Sequence, residues 1–381
     1  IEMAIMLLMP SANAVDAGPH AATILFAVFM LNRVISGAAE AAASGADEAL
    51  AYDSLPEEGR DQHWSKLTTR LMVWQSISFI LVTLIGAAVY DNDFLNKILL
   101  WVGVEANLTQ QDTLKYPIFL TLGMAIMAFI ISLRMREPNR QAENESESTW
   151  QSIRTAFKRT LRAGQWILQT PAALMLMLIG LSYDSVIRLY YTVGSIWMEV
   201  IGYRPAQLGI ISVAGSLVGI LAAYLGKQLI EKRSPNFNFR FLGTLVFIGI
   251  VSLAFPIPYW SVCFVAALWL AMRCLHFFLS NYLNRVTDSD NRATVLSFRG
   301  LTMNLSYGLI TFLYGMQSTY IRKTAGLPEQ SNSEDNTITH FVFKEAAQWW
   351  WVYLLAITVA LVIFQRGYLK RNWNQLLEKQ P

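Results

Sequence analysis

Apolar runs of membrane-crossing length recur along this chain, each closed by a polar stretch that carries charge. Residues 71–90, 116–133, 205–226 and 346–365 contain no charged side chain. A helix needs about 20 such residues to cross the hydrocarbon core of a bilayer. Residues 241–272 are also uncharged, but they are too long for one crossing and contain Pro256 and Pro258. Proline removes a helical donor and clashes with the preceding turn, so this run predicts two spans joined by a very short turn. Three further runs are apolar with isolated charges: 21–46 with Arg33 and Glu40, 171–198 with Asp184 and Arg188, and 294–316 with Arg299. The pattern predicts nine spans, roughly 21–46, 68–90, 116–133, 171–198, 206–226, 239–256, 259–281, 294–316 and 346–365, after an apolar stub at 1–14.

Composition removes the soluble alternative. Apolar residues make up 54% of the 381 and charged residues only 15%, where a soluble domain carries about 25% charge to solvate its surface. The net charge of +3 is too mild for a nucleic-acid partner, since such proteins cluster Lys and Arg on one face. Cys263 and Cys274 share one apolar stretch, which argues against a disulfide framework or a metal site. Charge also orients the chain. Alternate loops at 47–70, 134–170, 227–240, 285–299 and 366–381 hold 21 of the 30 Lys and Arg residues, and the intervening loops hold 6. Cytoplasmic loops are the basic ones, so the C-terminal tail is expected inside.

The longest basic loop divides the chain. Residues 134–150 (RMREPNRQAENESESTW) read as a polar linker. In the following IRTAFKRTLRAGQWIL, Ile153, Phe157 and Leu161 recur every four residues among Arg154, Lys158, Arg159 and Arg162. That is the pattern of an amphipathic helix on the membrane surface, with a solvated linker as the alternative. Six spans follow this loop; three spans and the stub precede it. The chain opens inside an apolar run (IEMAIMLLMP) without the charged region or cleavage site of a signal peptide. With equal halves, about two and a half further spans would precede it. Arg33 and Arg273 are each the lone basic residue of a span running outward to inward, third from the end of its half, as parallel six-span repeats would leave them.

The residues then carry a resemblance. The stretch RVISGAAEAAASGADEALAYDSL (33–55) resembles the fourth transmembrane helix and following loop of bacterial major facilitator superfamily transporters. Arg33 and Gly37 form the arginine–x–x–x–glycine pattern. Ser44, Gly45, Ala46, Asp47, Glu48, Ala49, Leu50, Tyr52, Asp53 and Leu55 form the loop exit. The string RATVLS (292–297) is similar to the loop entering the eleventh helix. Two features depart from the family. The segment GKQLIEKRSP (226–235) keeps Gly226, Lys232 and Arg233 of a signature loop but lacks its aspartate, and 71–90 has Gly86 without the glycine–proline motif of drug–proton antiporters.

The resemblance implies an all-α polytopic protein of two six-helix bundles, with the first two helices and part of the third outside this chain. Residues 1–133 would be the incomplete N-terminal bundle, 134–170 the cytoplasmic linker, and 171–381 the C-terminal bundle and tail. It implies a secondary active transporter of the bacterial cytoplasmic (inner) membrane, moving a small molecule by alternating access and coupled to protons. Asp47, Glu48, Asp53 and Arg292 would form a cytoplasmic gate. The alternative is a non-transporting membrane sensor or assembly protein on the same scaffold. Apart from the small molecule, lipid and protons, no partner or cofactor is expected.

Charges inside spans are the candidate chemistry. An ionised side chain at mid-membrane costs at least about 2.5–3.5 kcal/mol, so it faces a partner or a wet cavity. Arg33, Glu40 and Asp47 are seven residues apart in turn, about 700° of helix, and share one face. Gly37, Ala41 and Gly45 form a small-residue ladder beside them. This reads as a cavity-lining helix with Arg33 as an anion or proton-relay contact and Glu40 as a titratable partner; a structural ion pair with the first two helices of the family plan is the alternative. Asp184 and Arg188, acid first and one turn apart, have the geometry of an intrahelical pair. Tyr183, Tyr190, Tyr191 and Trp197 share their helix, so the pair reads either as a wall of a substrate site or as a neutralised structural pair. Arg273 and His276 are candidates for the same cavity. The expected substrate and proton pathway is therefore Arg33, Glu40, Asp184, Arg188 and Arg273. Glu40 is the expected proton carrier, because Arg33 lies about 10 Å along the axis, and Asp184 is the expected fixed partner of Arg188. His20, His63 and His340 fall in loops and imply no metal. Gly215 and Gly219 read as packing residues, and Trp349, Trp350 and Trp351 as an interface anchor. With no Walker loop, dinucleotide fingerprint or nucleophile elbow, enzymatic activity is not expected.

Overall fold

The computed structural model describes residues 23–24, 27–28, 30–32, 34–37, 46–104, 108–113, 115–134, 149–203, 207–327 and 336–368, and all regular structure among them is helical. Arg33, Glu40, Ala41, Gly45, the stub at 1–14, the linker at 135–148 and the tail at 369–381 lie outside the described residues. The chain divides into two compact units, Ile1–Leu50 with Ile80–Glu145, and Ala51–Phe79 with Ser146–Pro381. Two helices, α1 (Ala46–Asp53) and α2 (Arg60–Tyr90), have residues in both.

The first unit continues with α3 (Asn92–Trp101), α4 (Gln110–Thr113) and α5 (Tyr116–Ser132). Asp91 starts α3 as its N-cap, its carboxylate accepting the Phe94 N–H at 3.0 Å. Asn96 then clamps the backbone of Leu108 twice, donating to its carbonyl at 3.0 Å and accepting from its N–H at 2.9 Å. Thr109 gives both its N–H and its hydroxyl to the Asp112 carboxylate, which holds that carboxyl below the ordinary aspartate value. These contacts order the polar connection that the charge pattern assigns to the outside.

The second unit holds the main core. Its helices are α6 (Thr149–Gln169), α7 (Pro171–Val200), α8 (Leu208–Lys232), α9 (Pro235–Ala254), α10 (Ser261–Val286), α11 (Ser289–Thr324), α12 (Asn336–Ala347) and α13 (Trp350–Tyr368). Pro171 and Pro235 begin their helices where a missing N–H costs nothing, and the Ser234 hydroxyl caps α9 by accepting from Phe237. The unit is built around α7 and α10: α10 packs on α7, α8 and α9, and α7 packs on α11. The tightest approach is between α9 and α10. A Cβ at Gly249 would overlap the side chain of Leu268, so only glycine lets these helices meet so closely. Leu176, Ile187, Trp197, Leu268 and Phe278 fill the centre.

Six helical stretches among the described residues are long and apolar enough to cross a membrane: Arg60–Tyr90, Pro171–Val200, Leu208–Lys232, Pro235–Ala254, Ser261–Val286 and Thr337–Gly367. The expected span at 116–133 is the apolar but shorter α5, of 17 residues. The span expected at 294–316 lies within α11, which runs for 36 residues and mixes polar with apolar positions. Leu301, Leu305, Leu309, Phe312 and Met316 are exposed along one side, while Asn304 and Tyr307 make polar contacts with α7. The amphipathic segment after the linker is helical, as α6. Ala163 and Ile167 are buried, Phe157 and Leu161 remain exposed, and α6 packs on α11 and α7. Trp350 departs from the expected interface anchor. It is buried, edge-on to Phe343 and Tyr314 at 5.7 Å each, whereas Trp349 is exposed.

Candidate functional site

The apolar helix α7 carries a carboxylate to the middle of the second unit. Asp184 is fully buried. Arg188, one helical turn later, brings its Nε to 2.9 Å from Asp184 Oδ2, as the i, i+4 spacing requires. The second oxygen, Oδ1, lies 3.2 Å from His276 Nε2 on α10. The carboxylate has no aligned hydrogen bond among the described residues, so Arg188 holds it as an ion pair and the His276 ring stands close beside it. Arg188 also donates to Asn304 Oδ1 on α11 at 2.8 Å and lies 5.8 Å over the ring of Tyr307. Tyr307 in turn shares a hydrogen bond of 2.6 Å with Thr192. One buried acid thus ties three helices together through two cationic or titratable partners and a polar seam.

Arg273, one turn before His276 on α10, belongs to a different contact. A Cβ added at Gly219 would come within 2.6 Å of Ser76 Oγ and 3.7 Å of Arg273 Nε. Gly215 lies against Trp269. The glycine pair on α8 therefore packs as expected, and Gly219 leaves the space in which Ser76 and Arg273 meet the helix.

A second cluster occupies the end of the unit that the loop charges assign to the cytoplasm. Arg292, in the first turns of α11, is buried and forms an ion pair with Asp53. Its guanidinium lies 4.4 Å over the ring of Tyr52 and donates to the Thr287 carbonyl at 2.7 Å. Tyr52 donates its hydroxyl to Asp61 at 2.9 Å, and Asp61 faces Arg285 at 3.6 Å. Burial and the Asp61 carboxylate push the Tyr52 phenol well above its ordinary value, although Arg292 and Arg60 pull the other way. Trp64 completes the seam, edge-on to Tyr52 at 5.2 Å and donating to Ser280 at 3.2 Å.

The structure brings together Asp184 with Arg188, and Asp53 with Arg292. It adds His276 to the first pair, and Tyr52, Asp61 and Arg285 to the second. Asp47 and Glu48 sit in the first turn of α1, where the Asp47 carboxylate accepts the Glu48 N–H at 2.8 Å. His63 lies on α2 and His340 on α12, neither in a loop, and His340 Nε2 is 3.2 Å from Glu199. No group of His, Cys, Asp and Glu among the described residues is placed to hold a metal ion.

A bundle of apolar helices with charge sequestered inside it defines a polytopic membrane protein. The model of the Major Facilitator Superfamily matches residues 3–311, and the chain belongs to that family of membrane transporters. The fold is similar to the crystal structure of a bacterial homologue of the human lysosomal transporter Spinster, in an inward-facing and unoccupied conformation. The two share 19% identity with a TM-score of 0.51, over 85% of this chain and 74% of that one. No curated protein matches. As a transporter of this family, the chain acts on a small molecule within a lipid bilayer.

Proposed function

We propose that this chain is a proton-coupled secondary active transporter that carries its small molecule by alternating access. The observation that carries the proposal is the fully buried Asp184, held between Arg188 and His276 on membrane-spanning helices. A buried ion pair is weak as a source of stability, because desolvation offsets most of its Coulomb energy. Charge placed inside a membrane bundle is instead typical of solute and proton pathways. His276, whose imidazole Nε2 lies 3.2 Å from Asp184 on the adjacent helix, is the group placed to pass a proton to and from that carboxylate. Asp184 then serves as the anion whose partner alternates, and Arg188 carries the change to Asn304 and Tyr307 on α11.

The sequence adds Arg33 and Glu40 to the pathway from the first unit and Arg273 from the second. Asp47, Glu48, Asp53 and Arg292 form the gate at the cytoplasmic end, which closes as the Asp53–Arg292 pair forms. The bundles are 1–133 and 171–381, joined by the cytoplasmic linker 134–170, in a bacterial cytoplasmic membrane with the C-terminus inside. The neighbouring fold was captured inward-facing and unoccupied, one station of such a cycle. Uptake by proteoliposomes across a panel of metabolites and drugs tests the proposal. At least one compound should accumulate when a proton gradient is imposed, and Asp184→Asn should abolish that accumulation. A protein that accumulates nothing across the panel would be the sensor or assembly factor instead.

A further inference from the structure

One end of the second unit carries cations that neither site above uses. On α2, Lys66, Thr69, Arg70, Val73 and Trp74 follow the spacing i, i+3, i+4, i+7, i+8 and form one stripe. Together with Tyr224 and Lys227 of α8 they line a cavity of about 430 Å³. Among the described residues, no carboxylate pairs with Lys66 or Arg70. Lys227 meets Glu231 only at 3.9 Å, with both side chains partly exposed. The cavity therefore holds three cations against one peripheral acid.

Its depth is fixed by the sequence. The charge-free run 71–90 begins directly after Arg70, and the charge-free run 205–226 ends directly before Lys227. Both cation groups thus stand where hydrocarbon gives way to headgroups. Trp74 and Tyr224 are exposed beside them, as amphipathic aromatics are at that level. Leu71, Leu217 and Leu221 are exposed on the apolar side. The Thr69 hydroxyl is engaged with the Ser65 carbonyl at 2.7 Å, so the charged donors left for an anion are Lys66, Arg70 and Lys227, with the Tyr224 hydroxyl and the Trp74 N–H beside them.

We propose that this cavity binds the phosphate headgroup of an anionic phospholipid from the surrounding leaflet, with its acyl chains along Leu71, Leu217 and Leu221. The Arg70 fork can take two phosphate oxygens, and the two lysines act as point charges around it. A zwitterionic lipid would bring its own cation against these three, so the site selects for net negative charge. Basic pockets between membrane helices on the cytoplasmic side recognise anionic headgroups in this way.

The test uses the full chain, delipidated in detergent and melted with phosphatidylglycerol, phosphatidylcholine or water-soluble glycerol phosphate. Phosphatidylglycerol should raise the melting temperature while the other two leave it in place. Combining Lys66→Gln, Arg70→Gln and Lys227→Gln should remove that shift, and Lys323→Gln, an exposed lysine elsewhere, should keep it. In native mass spectrometry each single substitution should weaken phosphatidylglycerol retention about fivefold, which also serves if the triple variant fails to fold. An equal shift with phosphatidylcholine would overturn the proposal. So would an equal shift with glycerol phosphate, which would mark a soluble-anion site, or undiminished retention in the variants.

Discussion

Arg292 pairs with Asp53 across 239 residues of sequence, with the ring of Tyr52 stacked beneath its guanidinium at 4.4 Å. The arginine is nearly inaccessible, and its second terminal nitrogen donates to the carbonyl that ends α10, at Thr287. A buried cation so placed locks the start of α11 to the segment that leads into α2.

Arg292→Ala should therefore destabilise the folded protein by about 2–3 kcal/mol, since it strands the Asp53 carboxylate and a buried carbonyl together. Asp53→Asn removes the carboxylate that neutralises the buried Arg292 and should cost a comparable amount, about 2–3 kcal/mol. Unfolding in detergent measures both. Negligible effects would show the pair to be a screened surface contact.

The Tyr52 phenol gives a pH dependence of defined sign. Its folded pKa is raised above the unfolded value by burial and by Asp61. The folded state therefore holds the proton more tightly, and this stabilisation is full below about pH 10 and is lost as the pH rises beyond it. Wild-type protein should lose melting temperature between about pH 10 and 12 more steeply than Tyr52→Phe, which has no proton to lose. Parallel curves would refute the assignment.

Removing one partner of the Asp184 pair should be worse than removing both. Arg188→Ala leaves a buried carboxylate facing only His276 and should cost about 3 kcal/mol or more. Combining Asp184→Asn with Arg188→Gln should restore much of that loss. A double variant no more stable than Arg188→Ala would mean that the arginine acts through its contacts to Asn304 and Tyr307 instead.

Six of the expected spans are legible because hydrophobic length is a local property, and so is the Asp184–Arg188 pair, whose spacing is one helical turn. The resemblance places Asp53 and Arg292 in one gate with Asp47 and Glu48, but not as a direct ion pair, because nothing local links residues so far apart. His276 was underweighted for the same reason: one histidine on an apolar helix is commonplace until packing sets it against Asp184. Asp61 and Arg285 stand in no motif, and only packing brings Asp61 to Tyr52 and the two charges to each other. α11 was read as another span from its apolar residues, whereas its polar residues matter through their facing of α7. Trp350 belonged to a run that resembled an interface belt, and only the packing of Phe343 and Tyr314 turned it inward.

Orientation follows from the same loop charges that define the spans. With Cys263 and Cys274 replaced by serine, single cysteines placed in 317–345 should react with an impermeant maleimide in intact cells. Those placed in 134–170 should react only after the membrane is opened. The reverse pattern would invert the topology, and with it the assignment of the Asp53–Arg292 cluster to the cytoplasmic end.

Proton movement through the Asp184 site tests the account most directly. Liposomes loaded with a pH-sensitive dye and containing the protein should change internal pH when a transported compound from the panel is added outside. Asp184→Asn and His276→Gln should each abolish that signal, and His276→Gln should still exchange labelled compound across the membrane. An undiminished pH change in both variants would contradict the account.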